Sequence, residues 1–334
     1  MTITQLGKYE IIEKLGEGAT SEVFHARDKV LGREVALKVL KPSLVADSSA
    51  FDRFVQEAQA AAGLFHTNIA TVLDMGESHG FYFIAMRYIP GQPFDKWLKT
   101  KDPLSWDQVI RMAQQLGDAL ETAHQAGFIH RDVKPSNIIC STTSDYVMTD
   151  FGLVRAMVST GLTSHTGAVI GTPEYIAPEI WNGGQSSPAS DQYSLACVIF
   201  EAVTGKALFE GSTTQEIITK HLIKAPVIPE SMRVDVPTGL SAILRTALDR
   251  EPSQRYKSVS DFTCAISSLP SLIDENKEAD LNKKGSIVAV KTNSGASATT
   301  VLLLGITGFF CALGWFIIVF LWFFGDLIVS LSNP

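Results

Sequence analysis

The sequence predicts an α+β fold: a small antiparallel β region near the N-terminus, a larger and mostly helical region after it, and a membrane-spanning helix close to the C-terminus. Three observations carry that expectation. Residues 9–39 alternate apolar and polar side chains between glycine-containing breaks, which is the period of half-buried strands. Apolar residues recur at helical spacing across 51–65 and 104–126. Residues 301–324 form a run of 24 positions without a charge.

The β region reads as three strands joined by hairpin turns, with Gly16 and Gly18 in the first turn and Gly32 in the second. Two glycines in a hairpin have an ordinary structural explanation, because tight turns favour residues that tolerate positive φ. Ser21 stands where a third glycine would complete a G-x-G-x-x-G pattern. The turn leads into another strand, Val35-Ala36-Leu37-Lys38, and not into a helix. That argues against a dinucleotide-binding βαβ unit, in which the phosphates sit on a helix N-terminus. A lysine on an apolar strand is usually an edge charge, but after a glycine hairpin it suits a backbone lid over a polyphosphate with one ammonium beneath it. The next segment starts with a cap at Ser49 and Asp52, and Phe51, Phe54, Val55, Ala58, Ala61, Ala62 and Phe65 form its apolar stripe. Glu57 falls beside this stripe; alone it would read as a surface carboxylate, and with Lys38 in need of a partner it reads as an ion pair.

Beyond the helical stretch 104–126 comes F-I-H-R-D-V-K-P-S-N, with His130, Arg131, Asp132, Lys134 and Asn137, then T-D-F-G with Asp150, Phe151 and Gly152, then A-P-E ending at Glu179. With V-A-L-K upstream, this set at this spacing resembles the eukaryotic-type (Hanks-type) serine/threonine protein kinases, in their bacterial membrane-anchored form. The resemblance covers about 9–269. It implies a bilobal fold, with an N-lobe of about 9–88 and a C-lobe of about 89–269, and transfer of the ATP γ-phosphoryl group to Ser or Thr hydroxyls of proteins, the non-specific serine/threonine protein kinase reaction. Phosphoryl transfer demands positioning and charge neutralisation more than covalent chemistry, and Mg2+, or Mn2+ in its place, needs oxygen ligands. The resemblance assigns the metal to Asn137 and Asp150, and the substrate hydroxyl to Asp132. It assigns the γ-phosphate to Lys134, and the Lys38–Glu57 pair to the other phosphates. For ATP it implies Leu15, Gly16, Glu17, Gly18, Val23, Ala36 and Ile139 around the nucleotide, Met86 guarding the back pocket, and a hinge at 87–89 that includes Tyr88. Arg87 stands where many relatives carry an acid.

The same resemblance implies regulation. The segment 153–179 is rich in hydroxyls, and phosphorylation beside Arg131 would add charge-assisted hydrogen bonds; Thr166 and Ser164 are the candidate phosphosites, by autophosphorylation. Thr172 matches a threonine that contacts the catalytic Asp, Glu179 should pair with Arg255, and Asp191 should hold the H-R-D backbone. His66, His124 and His165 have no partner cluster in the sequence and read as ordinary core or surface residues.

The 24 uncharged residues at 301–324 make about 36 Å of helix, enough to cross a ~30 Å hydrocarbon core. Lys283, Lys284 and Lys291 precede this span and Asp326 follows it, so the positive-inside rule keeps the kinase-like part in the cytoplasm. The expected organisation is a domain at 9–269, a juxtamembrane linker at 270–300, the span at 301–324 and a tail at 325–334, single-pass in a bacterial inner membrane. Protein substrates and the lipid bilayer are the expected partners, and a homodimer is a candidate state. With 28 basic and 35 acidic residues the net charge is −7, which argues against a nucleic-acid-binding surface. Cys140, Cys197, Cys264 and Cys311 are scattered and suggest neither a disulfide framework nor a zinc site. Two rivals were a scaffold with a dead kinase fold, which should lack one of Lys38, Glu57, Asp132, Asn137 or Asp150, and a small-molecule kinase, which should lack the A-P-E segment. Neither gap is present.

Overall fold

The computed structural model describes residues 4–18, 20–41, 55, 58–59, 62–150, 172–224, 226, 235–237 and 239–269. These all lie in the first of the two units into which the chain divides, Met1–Asp274. Among the described residues no helix is long and apolar enough to cross a membrane; the expected span at 301–324, its linker and its tail lie outside them.

The N-terminal part is a six-stranded antiparallel sheet of β1 (Gln5–Leu6), β2 (Tyr9–Glu17), β3 (Ser21–Asp28), β4 (Arg33–Leu40), β5 (Val72–Ser78) and β6 (Phe81–Arg87), in spatial order β1-β2-β3-β4-β6-β5. Period-two alternation divides β4 between two faces. Val35, Leu37 and Val39 pack with Leu6, Tyr9, Phe24, Ala26, Phe83 and Ala85 in one cluster. Leu40 points the other way, onto Ala58 and Ile84, and Lys38 shares its face. Each fully buried Leu or Val is worth about 1.5–3 kcal/mol over leaving it in water, so register is strongly specified.

Val55, Ala58, Gln59 and Ala62 are helical, as the apolar stripe predicts. The stripe does not continue to Phe65. That side chain is 76% exposed, whereas Leu64 is 1% exposed and joins the C-terminal core. The turn at Gly63 ends the helix, and the change of direction brings Leu64 inward in place of Phe65.

A second sheet joins β7 (Gly91–Pro93), β8 (Ile138–Ser141) and β9 (Tyr146–Met148). The helices are α1 (Phe94–Thr100), α2 (Trp106–Gln125), α3 (Pro178–Trp181), α4 (Pro188–Thr204), α5 (Thr214–Ile223), α6 (Leu240–Ala247) and α7 (Val259–Ser267). Helix α2 starts on a reciprocal cap between Ser105 and Gln108. Its Gly117 lies against Thr263 of α7, where an added Cβ would come within 2.5 Å of Oγ1; only glycine lets these two helices approach so closely. Helix α4 is buried nearly all round, as expected of a central core helix.

His221 on α5 is fully buried, with Nδ1 2.8 Å from the Tyr193 hydroxyl and its ring edge-on to Phe209. Burial pushes its pKa down from 6.5 to about 4. A depressed pKa in the folded state means that the unfolded chain takes up the proton first. The stabilisation is therefore complete above pH 6.5 and is lost as pH falls toward 4. We expect about 3 kcal/mol of unfolding free energy to disappear over that window through this residue, with buried His130, also shifted down, acting in the same direction. Urea denaturation at neutral and acid pH should show the loss halved or better in His221→Phe; a slope equal to wild type would contradict the assignment.

Candidate active site

Strand register assembles the upper half of the site. Gly16 lies opposite Val23, Val23 opposite Lys38 and Lys38 opposite Ile84, one row across the sheet. The next row runs His25, Ala36, Met86. The predicted Val23, Ala36, Lys38 and Met86 thus share one face of three adjacent strands. Leu15, Gly16 and Glu17 end β2, and Gly18 closes the turn by donating its N–H to the Ser21 carbonyl at 2.8 Å.

The glycine turn differs from expectation in one respect. Neither Gly16 nor Gly18 adopts positive φ. A Cβ at Gly16 would meet nothing within 4 Å, and one at Gly18 would make only an ordinary 3.7 Å contact. The turn itself therefore does not require glycine at either position. Ser21 is buried as the first residue of β3, with no left-handed backbone that would call for a third glycine.

Below the sheet, Ala70, Met86 and Val147 form a small apolar cluster with Ala36 and Ile89 against it. Ile139 is paired with Val147 in the β8–β9 ladder. Ala70 and Val147 escaped the sequence reading; the only available signal was the alternation in Y-V-M before T-D-F-G. At the hinge, Arg87 Nη2 donates to the carbonyls of Thr67 and Ile69, which staples the end of β6 to the preceding loop. The ring of Tyr88 stacks on His25, with centroids 3.9 Å apart.

The lower half is built on Asp191 in α4, which is 1% exposed. Its carboxylate accepts from the backbone N–H of His130 and of Arg131, each at 2.8 Å, and from His124 Nε2 at 2.8 Å. Two successive N–H groups converge on one carboxylate because Arg131 sits at φ 67, a conformation costing about 1–2 kcal/mol for a non-glycine residue. The expected hold on the H-R-D backbone is present. His124, with no partner visible in the sequence, belongs to the same hub.

This frame presents Asp132. Lys134 Nζ lies 2.7 Å from Asp132 Oδ2, and Asn137 Nδ2 donates to both the Asp132 carbonyl at 2.8 Å and Oδ2 at 2.9 Å. No hydrogen bond joins Thr172 to Asp132; the carboxylate is instead met by Lys134 and Asn137. Lys38, 7% exposed, donates to Asp150 Oδ1 at 2.9 Å. Burial pushes the Asp150 carboxyl up, but the charge and hydrogen bond of Lys38, helped by His130 and Lys134, outweigh it and hold the group below the usual carboxylate range. Glu57, Ser164 and Thr166 lie outside the described residues. Further out, Arg255 grips both oxygens of Glu179 at 2.8 and 2.7 Å, the pairing the A-P-E segment predicts.

A six-stranded antiparallel sheet carrying a buried lysine, with a helical body that presents Asp132, Asn137 and Asp150, defines the protein kinase class. Residues 9–264 match the family model described as the protein kinase domain, and the chain belongs to that family. It is similar to serine/threonine-protein kinase PknA of Mycobacterium tuberculosis, 38% identical over 272 residues that make up 80% of this chain and 62% of that protein. Serine/threonine-protein kinase PrkC of Bacillus subtilis is 34% identical over 260 residues, 78% of this chain and 40% of that protein. The chain therefore spans less than two thirds of the length of these curated relatives. The crystal structure of the Mycobacterium tuberculosis PknI kinase domain aligns with a TM-score of 0.61 at 27% identity, covering 80% of this chain and 98% of that one.

Proposed function

We propose that this chain is a serine/threonine protein kinase that transfers the γ-phosphoryl group of ATP to protein hydroxyls, with autophosphorylation of the 153–179 segment. The observation that carries this reading is the convergence of Lys134 and Asn137 on the Asp132 carboxylate, at 2.7 and 2.9 Å, in a domain where Lys38 and Asp150 form a second charged pair.

Asp132 is the acceptor for the substrate hydroxyl proton, and Asn137 and Lys134 hold its carboxylate in one orientation. Lys134 also brings a positive charge to the phosphoryl being transferred, and a lysine at this position resembles the serine/threonine kinases, which favours a hydroxyl on Ser or Thr. Lys38 steadies the other phosphates, and Glu57 is its proposed partner in that state. Leu15, Val23, Ala36, Met86 and Ile139 hold the adenine, with the Tyr88 backbone at its edge. The side chains absent at Gly16 and Gly18 leave the turn uncovered, which suits a backbone lid with Glu17 between them.

The donor chemistry fits a divalent cation. Asn137 commits both Nδ2 hydrogens to Asp132, so its Oδ1 is the atom left to ligate, and Asp150 brings carboxylate oxygens. A magnesium ion keeps several waters and needs only one or two protein oxygens beside substrate phosphates, which one amide and one carboxylate would provide. When bound, Mg2+ would supply neutralisation of phosphate charge.

The uncharged run at 301–324 supports a single-pass membrane anchor with the kinase domain, 9–269, on the cytoplasmic side of a bacterial inner membrane. Incubating the full chain with labelled ATP, Mg2+ and a generic basic protein, beside a panel of sugars and amines, tests the reaction class. Label on Ser or Thr is the expected result, and label confined to small molecules would overturn it. If the hydroxyls of 153–179 are the switch, Thr166→Ala combined with Ser164→Ala should depress the rate severalfold, with the corresponding phosphopeptides gone from the mass spectrum. Full activity in that double variant would retire the switch.

A further inference from the structure

Arg87, the last residue of β6, is a charged side chain between Met86 and Tyr88 that phosphoryl transfer does not use. A single nitrogen of its guanidinium, Nη2, donates to two backbone carbonyls of the loop that enters β5, those of Thr67 at 2.5 Å and Ile69 at 3.0 Å. The Arg87 backbone N–H donates to a third carbonyl of the same loop, that of Thr71, at 2.9 Å. The side chain is half-buried, and hydrogen bonds from a charged donor are the stronger kind.

The loop is also joined to β9. Met148 donates its N–H to the Asn68 carbonyl and accepts from the Ala70 N–H, each at 2.8 Å, and Asn68 Nδ2 donates to the Tyr146 carbonyl at 2.8 Å. Three segments therefore meet here: the end of β6 with Met86, the loop with Ala70, and β9 with Val147. Their three side chains are the buried members of the apolar cluster, with Ala36 and Ile89 packed against it. On the β9 side the loop is secured through backbone groups and Asn68. On the β6 side the bond at Thr71 is reinforced by the two from the Arg87 side chain, so the guanidinium sets how closely Ala70 is held to Met86 and the hinge.

We propose that Arg87 is a positioning residue for the adenine end of the nucleotide, a staple that fixes the loop carrying Ala70 against the strand carrying Met86. The proposal rests on the kinase reading, because the wall it orders is that of the nucleotide site. A wall ordered in advance leaves less ordering for binding to accomplish. The base should feel the loss of the staple, and the phosphates, which meet Lys38 and the glycine turn, should not. Since the base is bound alike in the ground state and the transition state, KM for ATP should rise with kcat unchanged.

The test compares the full wild-type chain with Arg87→Met, which keeps an unbranched stem and removes every donor, and with Arg87→Lys, which keeps the charge and replaces the planar fork by a point donor. Rates over a range of ATP concentration give KM and kcat, and inhibition by adenosine and by inorganic tripolyphosphate reads the two ends of the site separately. In Arg87→Met, KM for ATP and the inhibition constant of adenosine should rise together by roughly threefold to tenfold, with kcat and the tripolyphosphate constant at wild-type values. Arg87→Lys should show the same selective loss at about twofold to threefold, and as the milder change it carries the test if the methionine variant is unstable. A general loosening of the fold would move both inhibitors together, and that outcome, or an adenosine constant unmoved in active variants, would overturn the staple and leave the kinase reading intact. A wild-type chain that binds neither adenosine nor ADP would overturn both.

Discussion

Asp132→Asn is expected to lower the rate of phosphoryl transfer by roughly 10²–10⁴-fold, the span a positioned general base contributes, while nucleotide binding stays close to wild type. The substitution keeps the size and shape of the side chain. Asn137 still donates to the residue 132 carbonyl, a bond of 2.8 Å that does not depend on the side chain. What disappears is the acceptor for the hydroxyl proton and the charge that holds Lys134 at 2.7 Å. The loss should therefore fall on kcat, with the unfolding transition little moved. Initial rates alongside nucleotide titration separate the two, and unchanged turnover would remove Asp132 from its proposed role.

Lys38→Met should cost roughly 10²–10³-fold in rate, as for loss of one preorganised charge at a reacting centre, and in the nucleotide-free and metal-free protein it should also change how Asp150 titrates. In the native site, burial raises the Asp150 carboxyl and Lys38 is the main force holding it down. A carboxylate with a depressed pKa is fully ionised above its unfolded value and is lost only as pH falls through the folded one. Removing Lys38 moves that balance upward, so in the nucleotide-free and metal-free protein the Asp150 carboxyl should titrate at higher pH in Lys38→Met, as followed by NMR. Wild-type rates would count against the placement of Lys38 in the site. An Asp150 titration unmoved in Lys38→Met would show that its contact with Lys38, 2.9 Å in length, does not govern the carboxylate.

Much of the site was legible because its chemistry is compressed into short stretches of chain. Asp132, Lys134 and Asn137 are spaced so that one turn returns the amide to the carboxylate, and Lys38 stands on a strand whose alternation is unambiguous. The residues that escaped are those whose partners lie far away in sequence. His124 meets Asp191 across 67 positions, and Val147 joins Ala36 and Met86 through packing that no local pattern encodes. The helical stripe was right in period and wrong at its end, because Gly63 turns the chain and exchanges Phe65 for Leu64. Positive φ was expected at the glycine turn and is absent at Gly16 and Gly18; among the described non-glycine residues it occurs at His79, Arg131, Ser144 and Asp150, and arginine has no local preference for it. Only a surrounding frame can impose that conformation; at Arg131 the Asp191 carboxylate that draws two amides together is part of it.

By itself, then, the sequence determined the three strands within 9–39, the helical stretches around 51–65 and 104–126, the identities of the charged groups and the long uncharged run near its end, since all of these follow from periodicity, turn chemistry and spacing along the chain. The Glu179–Arg255 pair was expected from the kinase resemblance, but tertiary structure alone decided which other groups meet. Lys38 finds Asp150, His124 meets Asp191, and His25 lies on Tyr88 between two carboxylates, because strand register and helix packing bring together groups that the chain keeps far apart. Contacts of that kind depend on distances in space, and distance along the chain does not specify them.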